Sequence, residues 1–134
     1  MHKRIKRARV FVVDDDGVIA SSVAMILRRY GFAVVCFTDP GEALQAARFS
    51  VPEVLLAAAV MPLKSGLDLG IEIQKLCPRC GVVLYSGQDE AAGLLAAAQA
   101  EGMAFEFLAK PVQPDELLKR VEQVTMAWAA LEAV

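Results

Sequence analysis

The stretch Val54-Leu55-Leu56-Ala57-Ala58-Ala59-Val60-Met61-Pro62 constrains this chain more than any other. It has no charge and no polar–apolar alternation, and it is too short to cross a bilayer, so it reads as a parallel strand buried on both faces and ended by Pro62. In an open α/β sheet the ligand crevice lies beyond the carboxyl ends of such central strands, which places the expected chemistry near Ala58 and Met61. Yet Ala57, Ala58 and Ala59 supply no nucleophile, acid or metal ligand.

The flanking segments supply the rest of such a sheet. Arg9-Val10-Phe11-Val12-Val13 is a β-rich run that stops at Asp14-Asp15-Asp16-Gly17, a first buried strand ending in an acidic loop. Asp16 is placed to cap a helix in which Ile19, Val23, Ile26 and Leu27 recur at helical spacing until Gly31 ends it. Phe32 to Phe37 is a second strand, and Asp39-Pro40-Gly41 opens a helix with Ala43, Leu44, Ala47 and Phe49 on one face. Beyond the central strand, Leu67, Leu69, Ile71 and Ile73 alternate as a strand would, while Leu69, Ile73 and Leu76 fit a helix. A helix must cross back between parallel strands, so a helix is expected there. Gly81 to Gly87 is a fourth strand with a polar end, and Asp89 to Ala100 an alanine-rich helix stopped by Gly102. Phe105 to Leu108 is a short fifth strand, and Pro114-Asp115-Glu116 starts a last helix running to about Ala130. The expected architecture is a doubly wound α/β fold, a five-stranded parallel sheet in the flavodoxin-like order 2-1-3-4-5 with five helices.

The bulk properties narrow the class. The 134 residues suit a single domain, 1–134, whose first eight residues form a flexible basic leader. Although 56% of the residues are hydrophobic, charges interrupt them before any run reaches a membrane span. The basic N-terminus is followed by one short apolar strand and three aspartates, which is not a signal peptide, so a cytoplasmic protein is expected. A net charge of −2 gives no pull towards nucleic acid or anionic lipid, and Lys3, Arg4, Lys6, Arg7 and Arg9 read as a solvated tail. An odd number of cysteines, three, argues against a disulfide framework.

In this topology the ends of strands one, three, four and five converge and bring Asp14, Asp15, Ala58, Ser86 and Lys110 to one rim. Two carboxylates, a hydroxyl and an ammonium make a phosphate and Mg²⁺ site, since the acids hold a hard cation while lysine and serine pair with phosphoryl oxygens. Four pieces follow in order at successive strand ends: Val12-Val13-Asp14-Asp15, then Val60-Met61-Pro62 with Ser65-Gly66, then Ser86-Gly87, and finally Phe107-Leu108-Ala109-Lys110-Pro111. With these pieces, over nearly its whole length, the chain resembles the receiver domains of bacterial two-component response regulators, the CheY-like family. The resemblance implies that Asp14, Asp15 and the Val60 carbonyl bind metal, that Ser86 is the switch hydroxyl and Phe107 the switch aromatic, and that Lys110 binds the phosphoryl group. It also implies a cis peptide before Pro111. Counting back from Met61-Pro62 in the family's acid-x-x-Met-Pro pattern puts the phosphoaccepting aspartate at position 58, where this chain has Ala58. An alanine methyl cannot attack a phosphodonor, so no catalytic residue is expected there, and a Mg²⁺ site short of one carboxylate is expected to be weak. A natural pseudo-receiver and an Asp-to-Ala variant fit this sequence equally.

The resemblance implies a stand-alone receiver in a phosphorelay, not an enzyme, acting through protein contacts with a sensor histidine kinase or a downstream effector. It also implies a homodimer through helix four, strand five and helix five, the face the family uses for dimerisation and output. Ala91, Ala92, Leu94, Leu95, Ala96, Ala97, Ala98 and Ala100 give helix four more apolar surface than one core-facing stripe requires, which fits an interface, extended by Trp128 and Leu131, and equally fits alanine serving only as a strong helix former. The rival reading is a redox-responsive protein using Cys77 and Cys80, whose C-x-x-C spacing falls in a helix-to-strand loop instead of opening a helix. A flavin enzyme is disfavoured, because Asp14-Asp15-Asp16 stands where a phosphate-cradling loop needs amides and hydroxyls.

Overall fold

A computed structural model describes residues 8–103 and 105–133 of the chain; the expected leader, apart from Ala8, lies outside the described residues. Five parallel strands, β1 (Arg9–Val13), β2 (Ala33–Phe37), β3 (Val54–Ala58), β4 (Gly81–Ser86) and β5 (Glu106–Ala109), form one sheet in the order β2-β1-β3-β4-β5. Helices α1 (Gly17–Arg29), α2 (Pro40–Ala47), α3 (Gly66–Leu76), α4 (Gln88–Ala100) and α5 (Pro114–Ala133) follow the strands in turn. This is the flavodoxin-like arrangement the alternating pattern predicts. Helix α1 packs against α5 and α2 against α3, as helices on opposite faces of a doubly wound sheet do. No helix among the described residues is long and apolar enough to cross a membrane.

Every residue of β3 is buried, between β1 on one side and β4 on the other. The strand is shorter than the apolar run that announces it. Ala59 is still buried, but Val60 lies past the strand end and is 57% exposed, because the chain there turns into α3. Gly66 makes that turn possible: its N–H donates to the Ala59 carbonyl at 2.9 Å, and a Cβ on it would stand 2.2 Å from the Ala58 carbonyl oxygen.

The helix starts are capped by the short polar side chains placed for it. Asp16 accepts from the N–H groups of Val18 (3.0 Å) and Ile19 (3.3 Å), Asp39 from Gly41 (2.8 Å) and Ser65 from Asp68 (3.0 Å). Gly31, at φ 91°, follows the end of α1 in the left-handed conformation. The ambiguous segment after Ser65 is helical, burying Gly66, Leu69, Gly70 and Ile73, while Leu76 at its end is exposed.

Three sequence-based placements are corrected. Helix α2 stops at Ala47, so Phe49 falls beyond it and is 90% exposed instead of sharing the buried face of Ala43 and Ala47. Strand β5 runs one residue later than the apolar run Phe105 to Leu108. Helix α5 continues to Ala133, past Ala130; the side chains of Trp128 and Leu131 lie outside the described residues.

Candidate functional site

Parallel register sets the rim. Val13 pairs with Ala57, Ala58 with Tyr85, and Ser86 with Ala109, so Asp14, Ala58, Ser86 and Lys110 stand at neighbouring strand ends. Asp14 continues β1 by one residue, its N–H donating to the Phe37 carbonyl at 3.0 Å. Its carboxylate is buried, 1% exposed, and both oxygens are engaged. Oδ1 accepts from the Asp16 N–H at 2.9 Å, and Oδ2 accepts from the Tyr85 hydroxyl at 2.7 Å. Asp15 and Asp16 are exposed, Asp16 being committed to capping α1.

The other expected residues lie around this acid. Ala58 is fully buried, and Val60 stands outside the strand. Ser86 is buried with its Oγ lacking a hydrogen-bond partner, while its carbonyl accepts from the Lys110 N–H at 2.9 Å and ties the end of β5 to β4. Lys110 is exposed, and its ammonium lies 5.5 Å from the centroid of the Tyr85 ring, within cation–π range. The Lys110–Pro111 peptide is cis. Phe107 is half-buried and lines a groove of about 480 Å³ with Ala109, Pro111, Gln113, Glu116 and Arg120 along the outer edge of the sheet.

Tyr85 is the member that sequence reasoning passes over. It reads as one more apolar residue of the fourth strand, yet its ring is wholly buried and its hydroxyl ends on Asp14. Burial above all, then the bond to Asp14 and the charges of Asp14, Asp15 and Asp16, push its ionisation upward, so the phenol stays a neutral donor. The available signal was chemical: a tyrosine within a strand buried on both faces must find a partner for its O–H.

These residues are a poor fit to the Mg²⁺ ion expected of such a rim. Position 58 offers a methyl, one oxygen of Asp14 holds a phenol, and among the described residues no group of three or more His, Cys, Asp or Glu side chains is arranged to hold a metal. A small cation that keeps near-octahedral geometry and dehydrates reluctantly needs more than the exposed Asp15 and a shared Asp14. The rim does retain hydrogen-bond donors for an oxyanion, the orphaned Ser86 hydroxyl and the Lys110 ammonium, but it has no nucleophile at position 58.

The redox alternative gains no support. The cysteines are free, and Cys80 is buried, its thiol pushed up to about 12, first by that burial and then by Cys77 beside it. A reactive cysteine needs the opposite, an accessible thiolate.

Comparison with known proteins agrees with the fold. The family model described as "Response regulator receiver domain" matches residues 10–122. Among curated proteins, the chain is 31% identical over 112 residues to the probable transcriptional regulatory protein TcrX of Mycobacterium tuberculosis, covering 84% of this chain and 47% of that protein. It is 32% identical over 119 residues to nodulation protein W of Bradyrhizobium diazoefficiens, covering 89% and 52%. The chain thus spans about half the length of these relatives. Among solved structures, a response regulator receiver domain protein from Clostridium thermocellum superposes with a TM-score of 0.84 at 25% identity, covering 93% of this chain and 99% of that one. An uncharacterized protein from Neptuniibacter caesariensis gives 0.87 at 26% identity, covering 96% and 95%.

Proposed function

We propose that this chain, which belongs to the response-regulator receiver domain family of two-component signalling, works as a receiver that signals through protein contacts without an aspartyl phosphate at position 58. The observation that carries the reading is Ala58 itself. It is a buried methyl at the carboxyl end of the central strand, beside Asp14 and in line with Ser86 and Lys110, where the family's motif spacing calls for the phosphoaccepting aspartate. A methyl offers no lone pair to a phosphodonor, whether alanine is the natural residue or replaces an aspartate.

Receiver domains act through histidine kinases and effector domains, so the proposed partners are proteins of those two kinds, and the proposed role is contact instead of catalysis. Asp14, Asp15, Ser86 and Lys110 are proposed to keep their places in the rim, with Phe107 as the switch aromatic at the sheet edge, and Mg²⁺ is proposed to be held only weakly. The face proposed for contact is that of α4, β5 and α5, either with a partner or with a second copy. Supporting it, Leu95 is exposed on α4 beside the exposed Ala92, Ala96 and Ala97, and the Phe107 groove runs between β5 and α5.

Mass spectrometry after incubation with Mg²⁺ and acetyl phosphate tests the central claim. The expected result is no phosphoryl mass on the protein. An adduct would overturn the reading.

A further inference from the structure

We infer that Tyr85 is the built-in occupant of the acidic pocket: its hydroxyl takes, on Asp14, the place of a divalent cation, so that restoring a carboxylate at position 58 does not by itself rebuild a cation site. Ala58 and Tyr85 are register partners on adjacent parallel strands. Their side chains therefore leave the sheet on the same face, about 5 Å apart. The methyl at 58 is a small neighbour on that face, and the tyrosine ring beside it is wholly buried.

The hydroxyl completes the argument. Asp14 is buried, and a buried carboxylate with an unpaired oxygen is costly, so one of its oxygens must find a donor or a cation. The backbone N–H of Asp16 takes Oδ1, and Tyr85 takes Oδ2 through a charge-assisted bond of 2.7 Å. The Lys110 ammonium faces the ring of the same tyrosine, 5.5 Å from its centroid. The phenol thus links the acid, by its hydrogen bond, to the ammonium, through its ring. Alanine at 58 and tyrosine at 85 are a matched pair, the second satisfying the acid left behind by the first.

The inference rests on reading this rim as a receiver site without its acceptor, and its test separates the two. Mg²⁺ is titrated by calorimetry into Ala58→Asp and into the double variant Ala58→Asp/Tyr85→Phe, which keeps the ring and removes only the hydroxyl. Circular dichroism confirms that each is folded. The double variant is expected to bind Mg²⁺ more tightly by about tenfold or more, the scale set by releasing a hydrogen bond to a charged group. Equal affinities, at whatever level, overturn the inference. Should the double variant fail to fold, Tyr85→Phe is compared with the parent for the rise in melting temperature that MgCl₂ produces; a larger rise in Tyr85→Phe supports the inference and an equal one overturns it. A phosphoryl adduct on the parent would undo the reading beneath while leaving the cation comparison intact.

Discussion

Gly66→Ala is expected to be among the most damaging single-methyl changes available to this protein. The added Cβ would lie 2.2 Å from the Ala58 carbonyl oxygen, 2.9 Å from its carbon and 3.1 Å from the Ala59 Cα, all of them backbone atoms of the chain leaving the central strand. To move from 2.2 Å to the 3.4 Å of an ordinary contact, α3 must retreat by about 1.2 Å. That retreat breaks the 2.9 Å bond from the Gly66 N–H to Ala59, and no side-chain rotation can relieve it. Overpacking of about 1–3 kcal/mol plus about 1 kcal/mol for the hydrogen bond predicts a loss of roughly 2–4 kcal/mol. Gly93→Ala is the internal control. It adds the same methyl to exposed mid-helix backbone of α4 with nothing within 4 Å, and should stabilise by up to about 1 kcal/mol through helix propensity alone. Urea unfolding followed by the helical circular dichroism signal reads both changes as midpoint shifts at constant slope. A Gly66→Ala protein within about 1 kcal/mol of its parent, the low edge of an overpacking cost, would refute the claim that α3 is pressed against the end of β3.

Two further outcomes follow from the burial of particular side chains. Burial raises the Cys80 thiol from its usual value of 9.0 to about 12, so its contribution to stability is complete below pH 9 and is lost as pH rises from 9 towards 12, where the unfolded chain releases the proton and the folded one keeps it. The unfolding free energy from urea titrations should therefore fall between pH 9 and 11 by up to about 1.4 kcal/mol per pH unit more in the parent than in Cys80→Ala, and parallel curves would contradict this. On α4, Leu95 is 43% exposed whereas Ala98 is buried, so Leu95→Glu should abolish self-association or partner binding with an unchanged circular dichroism spectrum. A parent that sediments as a monomer at high concentration, with partner capture unaltered by the change, would remove that face from consideration.

Much of the fold was legible because the signals were redundant. The charge-free run at 54–62 demanded a doubly covered sheet, and Asp16 and Asp39 marked helix starts that the structure places where those side chains stand. What failed did so at boundaries. Phe49 lies two residues past α2, where helical phase no longer says which way a side chain faces; the exposed Val60 looked buried because hydrophobicity alone does not reveal where a strand gives way to a loop. The ambiguous Leu67 to Ile73 segment was settled by topology, since alternation and helical spacing both fitted. The rim was legible as a list of strand ends, because strand order fixes which ends are neighbours. Its internal connection was not, because the bond from Tyr85 to Asp14 joins residues 71 apart in sequence and depends on register, which no local pattern reports.

The strand order also dictates a timetable for the ribosome. β1 is made first but finishes between β2 and β3, so three strands can assemble as soon as Ala58 has emerged, and the remaining two then add one after the other at a single side. Until β4 arrives, the side of that partial sheet opposite β2 is the open backbone of Val54–Ala58, with no charge, proline or bulge to discourage pairing with another chain. The end of β4 at Ser86 comes 28 residues after Ala58, on the order of 1–6 s of synthesis. Through that interval the segment most deeply enclosed in the finished protein lies open to a neighbouring nascent chain, so slowed translation between Ala58 and Ser86 raises the risk of aggregation.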